Sequence, residues 1–365
     1  MKERQGDLTR LFFTLVFVGM LCFGNVVKAE KVITAVPETT TESELKDGGT
    51  IVQGWNEKRT SYYVKGKKVT GIKRIDGELY YFKPNGKLFR KKGLHKLNGK
   101  YYYFGKGYAM KTGVVKVKGK AYYFMQRTGA RYEKSGFHKI GGKGYYFLKN
   151  ASLKSGWYRS ANNNRYYFDP KTYAATTGWK YVSGYKYYFM KNGRLSQDVR
   201  KLMKKNTSYK IKVNRMAGCV TVYAKDGTKG YTIPVVSFVC SPGYATPLGT
   251  FHTGAKYRWL ELIGPCWGQW CTVITGDILF HSVYYDRYND NRSLNVNAYN
   301  QLGNVVSHGC VRLTAADTKW IYDYCPSGTE VVIYDNQNNP GPFDKPKAQK
   351  LSADHTWDPT DPAFK

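Results

Sequence analysis

The stretch Val305–Asp317, "VVSHGCVRLTAAD", sets Ser307, His308, Gly309, Cys310 and Arg312 within one short segment. A cysteine in this company is a candidate nucleophile. A free thiol ionises near pH ~8.5, so it needs a base or a positive field before it attacks at neutral pH. Two histidines could serve as base, His308 in the motif and His281 in "ILFHSVYY", while His252 in "TFHTG" sits on an earlier strand. A histidine at the end of a strand can face a neighbouring loop, which favours His281 as base and leaves His308 to shape the pocket. The competing reading of Cys310 is a buried, inert thiol.

The first residues carry Lys2, Arg4 and Arg10, then an apolar run from Leu11 to Phe23, then Val27-Lys28-Ala29. This is the pattern of a secretory signal over residues 1–29, with 30–53 as a linker. The apolar run is short of the ~20 residues a membrane span needs, so no integral span is expected once the signal is removed. Six cysteines then remain, Cys219, Cys240, Cys266, Cys271, Cys310 and Cys325, none in C-x-x-C spacing. That excludes the common zinc and thioredoxin patterns, and no metal or cofactor is expected. Cys266 and Cys271, in "PCWGQWC", are the pair expected to form a local disulfide.

The elements that must position Cys310 lie between residues 208 and 335. Runs such as "YKIKVNR", "CVTVYAK", "YTIPVVSFVC" and "TEVVIYD" alternate or are wholly apolar, with turn signals such as Asp226-Gly227 between them, and predict a mainly β sandwich. Thr314 is placed to cap a helix over "AADTKWIYDY" that stops before Pro326. Residues 200–207 read as a linker. The tail 336–365, rich in Pro, Asp and Asn, reads as disordered.

Residues 54–199 have a different composition. Glycine-led starts recur at Gly54, Gly71, Gly93, Gly113, Gly136, Gly156 and Gly178, spaced by 17, 22, 20, 23, 20 and 22 residues, with a "YYF" block such as Tyr80-Tyr81-Phe82 about ten residues after most of them. About seven repeats follow, each a short hairpin that cannot bury its aromatic face alone, so neighbours must stack into a solenoid. The segment holds 33 Lys and Arg against 6 Asp and Glu, most of the +32 of the whole chain. Inside a cell this would suggest nucleic acid. An exported protein instead meets phosphate-rich wall polymers, which lysines hold through many weak, salt-sensitive contacts. The bland alternative is that the lysines only keep an aromatic solenoid soluble.

Two resemblances go with these residues. The repeats resemble the cell-wall-binding, choline-binding type of Gram-positive surface proteins, in which aromatic rings of adjacent repeats cage a choline cation. The tryptophan after the leading glycine is kept only at Trp55, Trp157 and Trp179, and the position before "YYF" holds Leu79, Ala121, Gly144, Arg165 or Lys186 instead of tryptophan. The resemblance therefore implies Trp157, Tyr167, Trp179 and Tyr188 as wall-ligand candidates, and choline-bearing or teichoic-acid-like polymers as partners.

The segment 208–335 resembles the L,D-transpeptidase (YkuD) family, through His281, through Ser307-His308-Gly309-Cys310-Val311-Arg312 and through "TPLGTF" from Thr246. The likeness implies Cys310 as nucleophile, His281 as general base with its tautomer held by the Ser282 carbonyl, and Ser307, His308 and Arg312 as pocket residues. It also implies that the Gly309 and Cys310 N–H groups face an oxyanion. The implied substrates are peptidoglycan stem peptides and the implied place is the wall. The 25 residues between His281 and Ser307 exceed the family's usual gap and suggest an extended lid. An L,D-carboxypeptidase, which uses water as acceptor, and a wall-binding adhesin with a vestigial enzyme domain are the alternatives.

Overall fold

A computed structural model describes residues 52–205 and 207–364. The expected signal, and all but the last two residues of the linker after it, lie outside them. Among the described residues no helix is long and apolar enough to cross a membrane.

Residues 54–189 fold as seven successive β-hairpin units, from Gly54–Lys68, whose sheet has a short third strand, to Gly178–Val182 paired with Tyr185–Phe189. The hairpins turn on pairs such as Asp76-Gly77 (φ 49° and 78°) and Asn98-Gly99 (φ 48° and 79°). Two successive positive φ values define the turn whose twist matches paired strands. The seven leading glycines all have φ between 71° and 97°. Side chains are strained in that region, so backbone geometry alone accounts for the glycine at each start.

Phe82, Phe104, Phe124, Phe147, Phe168 and Phe189, the last residues of the aromatic blocks, are 0–1% exposed and form the buried interior of the repeats. Each junction is stitched by one backbone bond from the later repeat to the earlier: Leu88 N to Thr60 O, Met110 N to Leu79 O, Arg131 N to Tyr101 O, Leu153 N to Ala121 O, Ala175 N to Gly144 O and Leu195 N to Arg165 O, at 2.7–2.8 Å.

The C-terminal region is a sandwich of two sheets. Its strands are β1 (Tyr209–Asn214), β2 (Cys219–Ala224), β3 (Ile233–Val239), β4 (Gly249–His252), β5 (Lys256–Leu262), β6 (Cys266–Thr275), β7 (Ile278–Ser282), β8 (Val311–Leu313) and β9 (Glu330–Tyr334). Helix α1 (Val296–Asn300) precedes β8, and α2 (Ala315–Tyr324) follows it. One sheet has the order β3-β2-β1-β9-β4 and the other β5-β6-β7-β8. Ile211, Val213, Val222, Val235, Phe280, Val311, Leu313, Ile321 and Val331 form the core between them. Thr314 caps α2 as expected, accepting from Asp317 N at 3.3 Å.

The edge of β3 would be open but for the last repeat. Val199 N donates to Val235 O (2.9 Å) and Lys186 N to Thr232 O (2.9 Å), while Tyr185 packs on Tyr223. An exposed strand edge invites aggregation, and here the solenoid ends on it.

Three expectations are corrected. The tail is ordered: Phe343 and Leu351 are buried in apolar clusters, and Asp358 is 0% exposed, accepting from Ala315 N at 2.7 Å at the start of α2. Its Asp and Asn residues are hydrogen-bonding partners for helix and loop ends, so composition misled. Cys266 and Cys271 are free thiols. They sit five residues apart along β6, and five residues of extended strand span about 16 Å, well beyond the ~7 Å between Cα atoms that a disulfide allows. The insertion 283–306 is a packed sub-core, since Val283, Tyr285, Leu294, Val296 and Tyr299 are buried together with Leu351 of the tail.

Replacing Asp358 with alanine leaves the buried Ala315 N–H without its acceptor, which is expected to cost about 1–3 kcal/mol. Urea unfolding of wild type and variant measures it, and an unchanged midpoint would refute the capping role.

Candidate active site

Strand β7 pairs in parallel with β8, placing Phe280 opposite Val311, His281 opposite Arg312 and Ser282 opposite Leu313. Cys310 directly precedes β8 and so is carried to the strand that holds His281, although the sequence separates them by 28 intervening residues. Parallel neighbours need a long crossover. The insertion and α1 provide it.

His281 is 2% exposed, and its Nδ1 donates to Ser282 O at 2.6 Å. That bond fixes the tautomer and leaves Nε2 as the ring's acceptor. Burial, reinforced by the Arg312 charge and only partly offset by the Ser282 carbonyl, pulls the imidazole down to about 4. The ring is therefore neutral at neutral pH and able to take a proton. Room for it comes from Gly268 on β6, where a Cβ would sit 3.1 Å from His281 Cβ and Nδ1.

Burial pushes the Cys310 thiol up, against the opposing pull of the Leu279 N–H and Arg312. The thiol donates to Asp277 O at 3.4 Å. At neutral pH the thiol and the imidazole are therefore both uncharged. Arg312 has a buried Nε without a partner among the described residues, and its guanidinium lies 5.1 Å from the Tyr284 ring centroid.

The other expected residues divide. Ser307 Oγ donates to Cys310 O (2.6 Å) and accepts from Gly309 N (3.1 Å), so it staples the loop. The expectation for Gly309 is thereby corrected, because its N–H is spent on Ser307. The Cys310 N–H has no partner among the described residues. The Ser282 side chain accepts from Gln269 N at 3.0 Å and donates to Val283 O, so only its carbonyl serves the site. His308 is exposed. His252 is on β4, in the other sheet. The sequence reading gave no role to Gly268, Leu279 or Thr246 Oγ1, which donates to Gly309 O at 2.6 Å; Gly268, a lone glycine in an aromatic strand, and Thr246, which opens "TPLGTF", carried a visible signal.

The wall-ligand candidates also separate. Trp157 lies 5.4 Å from Tyr167 and 5.2 Å from Tyr187, both edge-on, and the Arg165 guanidinium covers its face at 4.7 Å. Arg165 is held there by Pro342 O (2.8 Å) and lies 3.7 Å from Asp344 of the tail. Trp55 has the same arrangement with Tyr62 (5.4 Å), Tyr80 (5.2 Å) and the Arg59 guanidinium (4.9 Å). Trp179 is 39% exposed, with Tyr188 edge-on to it and the Lys186 ammonium 5.8 Å from its centroid, and the Tyr188 ring is applied to the sandwich core.

Two outcomes are expected. His281 binds its proton less well folded than unfolded, so its contribution is present at neutral pH and is lost as pH falls from about 6.5 to about 4, by up to about 3 kcal/mol. Urea midpoints across that range, compared with His281→Gln, measure it, and identical pH slopes would sink it. Arg165→Gln empties the cation position over Trp157, so choline should change tryptophan fluorescence more in the variant than in wild type. Equal responses would show that the guanidinium does not block that box.

Residues 208–333 match the L,D-transpeptidase catalytic domain (YkuD) family, and residues 73–88 and 177–195 match a family described as a candidate cell wall binding repeat. The chain is 35% identical over 119 residues to YciB of Bacillus subtilis strain 168, named as a candidate L,D-transpeptidase; the match covers 30% of this chain and 59% of that protein. Among solved structures, choline binding protein F from Streptococcus pneumoniae is 31% identical, with 37% of this chain and 44% of that chain covered and a TM-score of 0.29. L,D-transpeptidase 1 of Mycobacterium tuberculosis is 20% identical, with 35% and 62% covered and a TM-score of 0.26. By sequence, residues 208–333 match the L,D-transpeptidase catalytic domain of the YkuD family and stand behind repeats that match the choline-binding, cell-wall-binding type.

Proposed function

We propose that this chain is an exported, wall-anchored cysteine L,D-transpeptidase that joins peptidoglycan stem peptides through a thioester on Cys310. The observation that carries this reading is the buried, neutral His281, its Nδ1 tied to the Ser282 carbonyl, on the strand paired with the one that Cys310 enters. Sγ attacks the carbonyl carbon of the scissile amide as its proton passes to His281 Nε2. The Cys310 N–H receives the developing oxyanion. Collapse breaks the C–N bond, and His281 returns the proton to the departing D-amino acid. The amine of a second stem then attacks the thioester and gives its proton to His281, and the C–S bond breaks to restore the thiol.

The repeats add affinity for the insoluble substrate without a new catalytic contact. Their lysines hold teichoic-acid-like polymers by charge, and choline-bearing polymers are the alternative ligand for the aromatic boxes. The expected signal over residues 1–29 supplies export.

Mass analysis of muropeptides after incubation with the protein tests the reading: a cross-linked dimer lacking one D-amino acid is expected, whereas shortened monomers alone would mean a carboxypeptidase. Cys310→Ala should abolish turnover, and His281→Ala should lower it about 10²–10⁴-fold. His308→Ala should be mild; if it is the dead variant and His281→Ala is active, the base is misassigned. Deleting residues 54–176, which leaves the last hairpin on β3, should release the protein from purified walls at low salt while soluble-substrate turnover persists. Undiminished wall retention would refute anchoring by the repeats.

A further inference from the structure

The peptide unit between Gly309 and Cys310 has its carbonyl and its N–H on opposite sides, because the bond is trans and planar. Whatever holds the Gly309 carbonyl therefore aims the Cys310 N–H. Thr246, 0% exposed, donates its hydroxyl to Gly309 O at 2.6 Å and accepts from Gly243 N at 2.8 Å, so the direction of its proton is settled. The loop carrying Thr246 is pressed on the catalytic loop: a Cβ on Gly243 would lie 2.1 Å from Ser307 O, and Val306 N and Ser307 N both donate to Pro242 O.

That loop is in turn held by one side chain of the other sheet. Arg215, just past β1, donates through Nη1 to Tyr244 O (2.7 Å) and Thr246 O (2.9 Å), and through Nε and Nη2 to Asp335 past β9 (3.0 and 2.6 Å). The paired Asp335 carboxyl is held below its usual range by this guanidinium.

We infer that Thr246, braced by Arg215 and Asp335, is a positioning residue that aims the Cys310 N–H at the oxyanion of the acyl-transfer step. A hydrogen bond to the carbonyl also polarises the peptide unit and strengthens its N–H as a donor. The inference rests on the reading of Cys310 as the acyl-accepting nucleophile. It assigns Thr246 no contact with substrate and no proton transfer.

Two reactions of the same thiol separate this role from general support. Alkylation by iodoacetamide needs the sulfur but no oxyanion donor, whereas acylation by a carbapenem-type β-lactam needs both; mass spectrometry of the full chain follows each rate. Thr246→Val keeps the shape and removes the donor, and should slow acylation about 10-fold or more while alkylation stays within about twofold. Thr246→Ser should restore acylation, and Arg215→Gln should slow it in the same selective way by a smaller factor. Acylation of Thr246→Val at the wild-type rate, or a parallel fall in both reactions, overturns the inference. A wild type that is alkylated but never acylated overturns the reading of Cys310, and this inference with it.

Discussion

The parallel pairing of Ile278–Ser282 with Val311–Leu313 is the constraint on which the site depends. It places His281 beside the strand that Cys310 enters, and it buries the imidazole deeply enough to keep it neutral. A parallel pair cannot be closed by a tight turn, so the chain must leave the sheet and return. The insertion 283–306 is that excursion. Its buried Tyr285 and Tyr299 make it a packed part of the domain, where a loose lid would have exposed such rings.

The C-terminal segment explains why this excursion is stable. Leu351 joins the insertion's apolar cluster, Thr356 O accepts from Leu294 N, and Asp361 accepts from Gln269 and Asn291. Farther back, Asp344 pairs with Arg159 at 2.6 Å and Phe343 enters the last repeat's core. One segment therefore ties repeats, insertion and helix α2 together. The catalytic region and the solenoid meet through strand edge, ion pair and apolar contact, and residues 200–202 between them form a helical turn.

Much of the site was legible because its chemistry is compressed into a few residues. Ser307 to Arg312 carry a thiol and the loop that presents it. His281 could be preferred over His308 although His308 is nearer in sequence, and the structure leaves His308 exposed while burying His281. The hairpin repeats were legible for a different reason: local turn chemistry recurs with every unit, and a positive φ needs glycine wherever it occurs. The aromatic box at Trp55 escaped notice because its partners, Tyr62 and Tyr80, come from two units, and Tyr62 belongs to the least regular repeat. Nor could composition show that an arginine fills each of the two tryptophan boxes.

Sequence alone determined the strand-rich class, the repeat count and the start of α2, since each rests on spacing within a few residues. Only the tertiary structure decided which N–H groups are free, which thiols can meet and whether the tail is ordered. Gly309 N–H is consumed by Ser307, Cys266 and Cys271 are held apart along one extended strand, and the polar tail finds partners in Ala315 and Gln269. These outcomes hang on hydrogen bonds and burial between distant segments, and a polar residue reads the same in a sequence whether its partner is water or a buried backbone N–H.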